Sequence, residues 1–273
     1  VDFQGPREQA AALQAVVRQL ANCIRPISLI EDGSGGKRFT GSALVVATGL
    51  RRIVITAEHV VSGPETKFLG VSEVGGSNWP KEYFRVVPVD ETEAPTDIAF
   101  AVAEVALDNP DDSGRSLPIE LLYPGHHFAV GTSMVAVGFP GSKAKSRDGQ
   151  TRLNAKLMSV VGDLASEDVY IDIGKKLTTH LAMTFRQDAC VDEHNQPAPA
   201  AHPKGMSGGA MFVAAYDTDH EGRSRFVPRV VGLLTEYHRA PIDVIVAVRI
   251  DVVLDALGIR PDGAQQRYRA VDV

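Results

Sequence analysis

A chain of 273 residues, 44% hydrophobic and 23% charged, has enough apolar content for one or two globular domains with a sizeable core. Its formal net charge of -6, with both signs interleaved along the length, offers no basic stripe for a phosphate backbone, so nucleic acid is not an expected partner. Apolar runs such as 43–47 and 244–248 fall far short of the roughly 20 residues that span a bilayer, and no membrane partner is expected.

The elements, in chain order, begin with Pro6, which suits a first helical turn, and Leu13, Val16, Val17 and Leu20 then recur at helical spacing. An amphipathic helix is expected over 6–22. From residue 25 the pattern changes to short runs rich in β-branched and aromatic residues, separated by Gly, Pro, Asn and Asp. Strands are expected over 26–30, 38–47, 52–56, 66–72, 82–89 and 96–105. A polar, proline-containing stretch over 107–118 reads as a linker. A second series of strands is expected over 133–138, 153–161, 169–173, 180–185, 210–215, 229–236 and 243–250, followed by a short helix over 252–257. The fold class is therefore all-β, with two packed antiparallel barrels of about six strands each, as such strand counts suggest. The expected division is 1–25 as a helical extension, 26–118 and 119–260 as the two barrels, and 261–273 as a tail.

The densest chemical signal is Gly205-Met206-Ser207-Gly208-Gly209. A serine flanked by glycines on a tight loop can expose its hydroxyl together with adjacent backbone N–H groups, because glycine adopts angles that strain other residues. The alternative is a glycine-rich turn with an incidental serine. A second segment, 53–61, places His59 just past an apolar strand, where an imidazole can face a cleft; a satisfied structural histidine is the plainer alternative. In a third, Asp97 starts the apolar run 96–102, at a barrel rim where a partly buried carboxylate needs a hydrogen-bonding partner. Its alternative is a strand-start aspartate bound to nearby N–H groups.

Together these segments resemble the trypsin-like, chymotrypsin-fold serine peptidases over about residues 26–258. TAEH ending at His59 looks like the family's histidine motif, TDIA its aspartate motif and GMSGG its GxSGG nucleophile motif, and the order histidine, aspartate, serine is that of chymotrypsin. The resemblance implies Ser207 as nucleophile, His59 as general base and Asp97 as its orienting carboxylate. It also implies an oxyanion hole from the N–H groups of Gly205 and Ser207, no cofactor or metal, and a protein or peptide substrate.

Met206 stands where the digestive enzymes carry an aspartate that pairs with a newly cut amino terminus, so activation by that route is not expected. The closer resemblance is to bacterial proteases of the high-temperature-requirement kind, without their peptide-binding domain; a regulatory partner or further domains outside this chain would then supply control. For specificity, the family pattern makes Ala201, His202, Thr235, Glu236, Tyr237, Ile245 and Ala247 the pocket, with Ala201 at its base. A basic side chain is disfavoured there, and an apolar or small one is expected.

Cys23 and Cys190 give no disulfide framework and read as structural thiols in a reducing compartment, which with no recognisable secretory leader makes a cytoplasmic location the expectation. His126-His127 reads as loop histidines, 217–221 as a hairpin tip and 187–203 as a mobile loop leading to the nucleophile. Two rivals stand: a catalytically silent trypsin-like binding module, and an α/β-hydrolase esterase. The esterase needs a helix after its serine and a later histidine, against the strand-like run that follows here.

Overall fold

The computed structural model describes residues 21–30, 37–48, 51–62, 68–71, 78–80, 85–88, 99–106, 116–125, 127–146, 153–192, 196–199, 201–218 and 224–259. Asp97, His126, most of the expected 6–22 helix and residues 219–221 of the expected 217–221 hairpin tip lie outside these residues.

The fold is all-β, with two large antiparallel sheets. The first contains β1 (Ile24–Ile30), β2 (Lys37–Thr48), β3 (Arg51–Ala57), β4 (Phe68–Val71), β5 (Asn78–Pro80), β6 (Arg85–Pro88), β7 (Ala99–Ala106) and β8 (Leu117–Pro118). Their order is β5-β4-β1-β2-β3-β7-β6, and β8 pairs in parallel with β2. Leu117, expected within the linker, is thus a fully buried strand residue.

The rest of the chain supplies β9 (Ser133–Gly138), a small hairpin of β10 (Ala144–Ser146) and β11 (Leu153–Ala155), then β12 (Met158–Asp163), β13 (His180–Thr184), β14 (Cys190–Asp192), β15 (Ala210–Thr218), β16 (Ser224–His238) and β17 (Val244–Arg249). The second sheet runs β13-β17-β16-β15-β9-β12-β14. Its two flanks meet, because Leu164 bridges Met183 and the Ala165 N–H donates to the Ala182 carbonyl at 2.9 Å. Six strands, β13, β17, β16, β15, β9 and β12, therefore form a closed barrel, and β14 adds to the other half of the β12 edge.

Period-two alternation explains why the central strands are apolar on both faces. In β9, Met134 and Ala136 face the barrel interior, while Val135 and Val137 join a cluster shared with Leu44, Val46, Ile53 and Ile55 of the first sheet. Full burial of such side chains contributes about 1.5–3 kcal/mol each, so the contact between sheets is itself a core. The closing helix, Ile250–Ala256, adds Ile250, Val253 and Leu254 to that cluster at helical spacing.

One expected strand is a helix. Residues 169–173 fall in and just beyond the helix Glu167–Asp172, whose Tyr170 is 2% exposed and accepts a hydrogen bond from the Ala182 N–H at 2.8 Å. Ser166 at the N-cap position, Glu167 and Asp168 in the first turn and Gly174 beyond the end were the available sequence signals. Among the described residues of the 187–203 segment, Gln187–Ala189 is a 3₁₀ turn, β14 pairs with β12, and Pro197 bridges back to Val191. Both cysteines are buried and neither is in a disulfide, and burial pushes the Cys23 thiol up to about 11. Among the described residues, no helix is long and apolar enough to cross a membrane.

Candidate active site

Strand β3 ends at Ala57, and the next four residues, Glu58–Val61, make a single helical turn. Val60 and Val61 anchor it, at 2% and 1% exposure, and Val60 lies so close to β2 that a Cβ on Gly41 would sit 2.6 Å from its methyl carbon. The Ser62 N–H and hydroxyl both close on the Glu58 carbonyl, at 3.1 and 2.8 Å. With both valines turned inward, His59 is exposed.

Ser207 comes from the other sheet, on the turn between Ala201 and β15. The turn is clamped between the sheets: the Ser42 N–H of β2 donates to the Ser207 carbonyl at 2.8 Å, and the Gly208 N–H donates to the Leu234 carbonyl of β16 at 2.7 Å. The buried Ser42 hydroxyl accepts from the Phe139 N–H at 2.9 Å and donates to the Gly205 carbonyl at 3.1 Å. Gly208 has φ +85°, and a Cβ there would meet the Ser42 carbonyl oxygen at 1.9 Å; Gly205 has φ +99°, with a Cβ position 2.7 Å from the Gly141 nitrogen. The glycines are thus requirements of the clamp. Met206 is buried in the barrel core.

Replacing Ser42 by alanine is expected to lower the unfolding free energy by about 1–3 kcal/mol, since a buried N–H and a carbonyl both lose their partner. Urea unfolding measures it; an unchanged midpoint would mean that water substitutes for the hydroxyl.

His59 and Ser207 line one cavity of about 330 Å³. The Ser207 hydroxyl donates to the Thr235 carbonyl at 2.8 Å, and no hydrogen bond joins it to the His59 imidazole. Among the described residues, the N–H groups of Gly205 and Ser207 donate to no protein acceptor, whereas those of Met206, Gly208 and Gly209 all do. Two unpaired donors therefore stand beside the hydroxyl.

Of the residues expected to form the pocket, His202, Glu236, Tyr237 and Ile245 line the cavity; Ala201, Thr235 and Ala247 do not. Ala201 and Ala247 are packed into the barrel core, at 7% and 0% exposure. Thr235 sits where the register of β16 against β17 shifts between Leu234 and Glu236, so its side chain turns to the Val246 carbonyl and its own carbonyl faces Ser207. Such bulges re-aim side chains. The cavity also takes in Thr40, Pro203, Lys204, Met206, Leu234 and Arg239. Lys204, Glu236 and Arg239 make it a charged cleft rather than the mostly apolar one expected.

These charges are not balanced. Burial pushes the Glu236 carboxyl up, but bonds and charge from Lys175, then from His238, outweigh it and hold it below the usual carboxylate range. Its charge is therefore matched outside the cleft. Lys204 and Arg239 have no carboxylate partner among the described residues. Tyr237 is held rigidly, its hydroxyl donating to Asp243 at 2.5 Å and its ring set edge-on to Phe185 and His202. Burial, then Asp243, pushes that phenol up to about 12, so it stays neutral. Among the described residues, no group of three or more His, Cys, Asp and Glu side chains is placed to hold a metal, and His127 is exposed and outside any helix or strand.

No protein-family model and no curated protein matches the chain. Among solved structures it is similar to a serine endoprotease from Yersinia pestis, at 14% identity and a TM-score of 0.48. The match covers 90% of this chain and 65% of the other, so the chain spans less than two thirds of that protein's length.

Proposed function

We propose that the chain is a serine endopeptidase, in which Ser207 attacks a peptide carbonyl, His59 takes and returns the proton and Asp97 orients the imidazole. The observation that carries this reading is the meeting of Ser207 and His59, from different sheets, in one cleft beside the unpaired N–H groups of Gly205 and Ser207. A hydroxyl, a base and two donors aimed at a developing oxyanion are the parts that acyl transfer needs.

The chemistry runs as two displacements. The Ser207 hydroxyl leaves the Thr235 carbonyl and donates to His59; its oxygen adds to the substrate carbonyl while His59 accepts the proton. The oxyanion is held by the two N–H groups. His59 then protonates the leaving amine, and water enters by the same path to release the acyl group. Support for Asp97 comes from the sheet register: Phe100 of β7 pairs with Ala57 at the end of β3, two residues before His59, so the chain enters β7 beside that histidine's turn. A restricted set of protein substrates suits so narrow and charged a cleft.

The silent binding module keeps one observation in its favour, the Ser207 hydroxyl spent on Thr235 rather than on His59. Labelling with a fluorophosphonate probe, followed by mass mapping, separates the two. Covalent adduct on Ser207 in the wild type, absent from Ser207→Ala, is the expected result. Well-folded wild type that takes no label would favour the binding module.

A further inference from the structure

We propose that the cleft beside Ser207 binds an acidic side chain of a peptide, with Arg239 and His202 as its specificity-determining residues and Lys204 as a second cation. The proposal rests on the peptidase reading only for which bond is then cut, the one following the acidic residue; the binding chemistry stands without it.

His202 is faced by a donor at each ring nitrogen. The Lys204 backbone N–H is set against its Nδ1 at 3.1 Å, and the Arg239 Nε–H against its Nε2 at 3.0 Å. A neutral imidazole carries one N–H and one acceptor nitrogen, and a protonated one has no acceptor at all. Two donors facing both ring nitrogens therefore oppose at least one N–H to another N–H, in either tautomer. The cluster has more donors than acceptors.

A carboxylate corrects that imbalance. One oxygen accepts from the Arg239 guanidinium and the other from His202 Nε2–H, leaving Nδ1 free to accept from the Lys204 N–H. Ionised partners make such hydrogen bonds about twice as strong as neutral ones. The ring is already positioned for it, since His202 stands edge-on to Tyr237, with centroids 5.1 Å apart, and Tyr237 is fixed by Asp243 and Phe185. Among the described residues no other group competes: the acidic side chain that lines the cleft, Glu236, is taken by Lys175 and His238. Burial and the charges of Arg239 and Lys204 hold the His202 imidazole below its ordinary value, and a bound anion would reverse the two charge effects.

An uncharged side chain gains less. Glutamine brings an NH₂ to face the same donors, and leucine desolvates Arg239 and Lys204 with nothing in return. Hydrogen bonds to charged groups are worth enough to give a discrimination of about 10- to 100-fold.

The test is a titration of histidine-labelled Ser207→Ala protein, which cannot turn over the ligand, followed by NMR. The ligands are blocked tetrapeptide amides ending in Glu, Gln or Leu, and the His202 signals are assigned from their loss in His202→Ala. The Glu peptide is expected to bind at least tenfold more tightly than the other two, shift the His202 imidazole signals and raise that residue's pKa. Arg239→Ala should remove the preference, and Arg239→Glu should reverse it towards a peptide ending in Lys. Equal or tighter binding of the Gln or Leu peptide, or a bound Glu peptide that leaves His202 unmoved, overturns the proposal. Fluorophosphonate labelling of wild-type protein reports on the peptidase reading separately. Labelling without Glu preference removes the acidic specificity alone, while Glu-selective binding without labelling keeps the acid-binding cleft and removes the peptidase.

Discussion

Alanine at Ser207 should lower turnover of a fluorogenic peptide by about 10⁶-fold, alanine at His59 should cost nearly as much, and the double variant should be little worse than either, because groups that act as one unit lose their effect together. The proposed mechanism makes the dependence on His59 strict. In the structure the hydroxyl hydrogen is engaged with the Thr235 carbonyl at 2.8 Å, so attack requires a base that both draws the hydroxyl away and accepts its proton. A residual acceleration of about 10³- to 10⁴-fold over water should survive in all three variants from the oxyanion donors and binding alone, since backbone N–H groups are untouched by side-chain replacement. The measurement is kcat/KM for the four proteins on one peptide carrying Glu before the reporter. Losses that multiply, so that the double variant falls far below either single one, would show that Ser207 and His59 act independently and would sink the shared mechanism.

The long strands and the nucleophile segment were legible because their signals are local. Strand 133–138 was read at its observed bounds, and β2, β3 and β17 came within two residues, since each is an apolar run whose two faces meet different parts of the core. Strands β5, β10 and β14 have three residues each and are held by backbone pairing to a neighbour, so no alternation could announce them. The helix at Glu167–Asp172 was misread because Val169, Ile171 and Ile173 alternate with polar or aromatic residues as a strand would, while Ile171, at 76% exposure, contributes nothing to a core. At the site, glycine spacing marked the loop, but the cleft wall depends on a register shift at Thr235 that no pattern of side chains encodes. Lys204 and Arg239 were missed because one precedes the motif and the other follows β16, and only the folded chain brings Arg239 to His202.

The clamp on the nucleophile loop ties this legibility to function. Ser42 lies in the first sheet and Ser207 in the turn before β15 of the second, yet Ser42 holds the carbonyls of Gly205 and Ser207 through its hydroxyl and its N–H. The placement of the 205–207 loop is therefore a property of the contact between sheets. Neither sheet alone has both His59 and Ser207, so changes in the shared Leu44–Val137–Phe212 cluster should reach the loop through Ser42 rather than through any side chain in the cleft.

Asparagine at Asp97 should lower kcat by about 10⁴-fold with little change in KM, as expected when an imidazole is held in the wrong tautomer while the binding groups stay in place. The His59 imidazole makes no hydrogen bond among the described residues, and it sits on a four-residue turn anchored by its neighbours Val60 and Val61. An exposed imidazole on so short a turn needs an external group to choose which ring nitrogen carries the proton. The register supplies the candidate, because Phe100 pairs with Ala57 and Asp97 lies three residues before Phe100 in the sequence. An amide in place of the carboxylate keeps the size but offers an NH₂ that favours the opposite tautomer, so the base at Ser207 would become a donor. The measurement is kcat and KM for Asp97→Asn beside a thermal unfolding midpoint. A tenfold loss or less, with an unchanged midpoint, would show that His59 is oriented without Asp97 and that the site works as a serine–histidine pair; a loss confined to KM would place Asp97 in substrate binding instead.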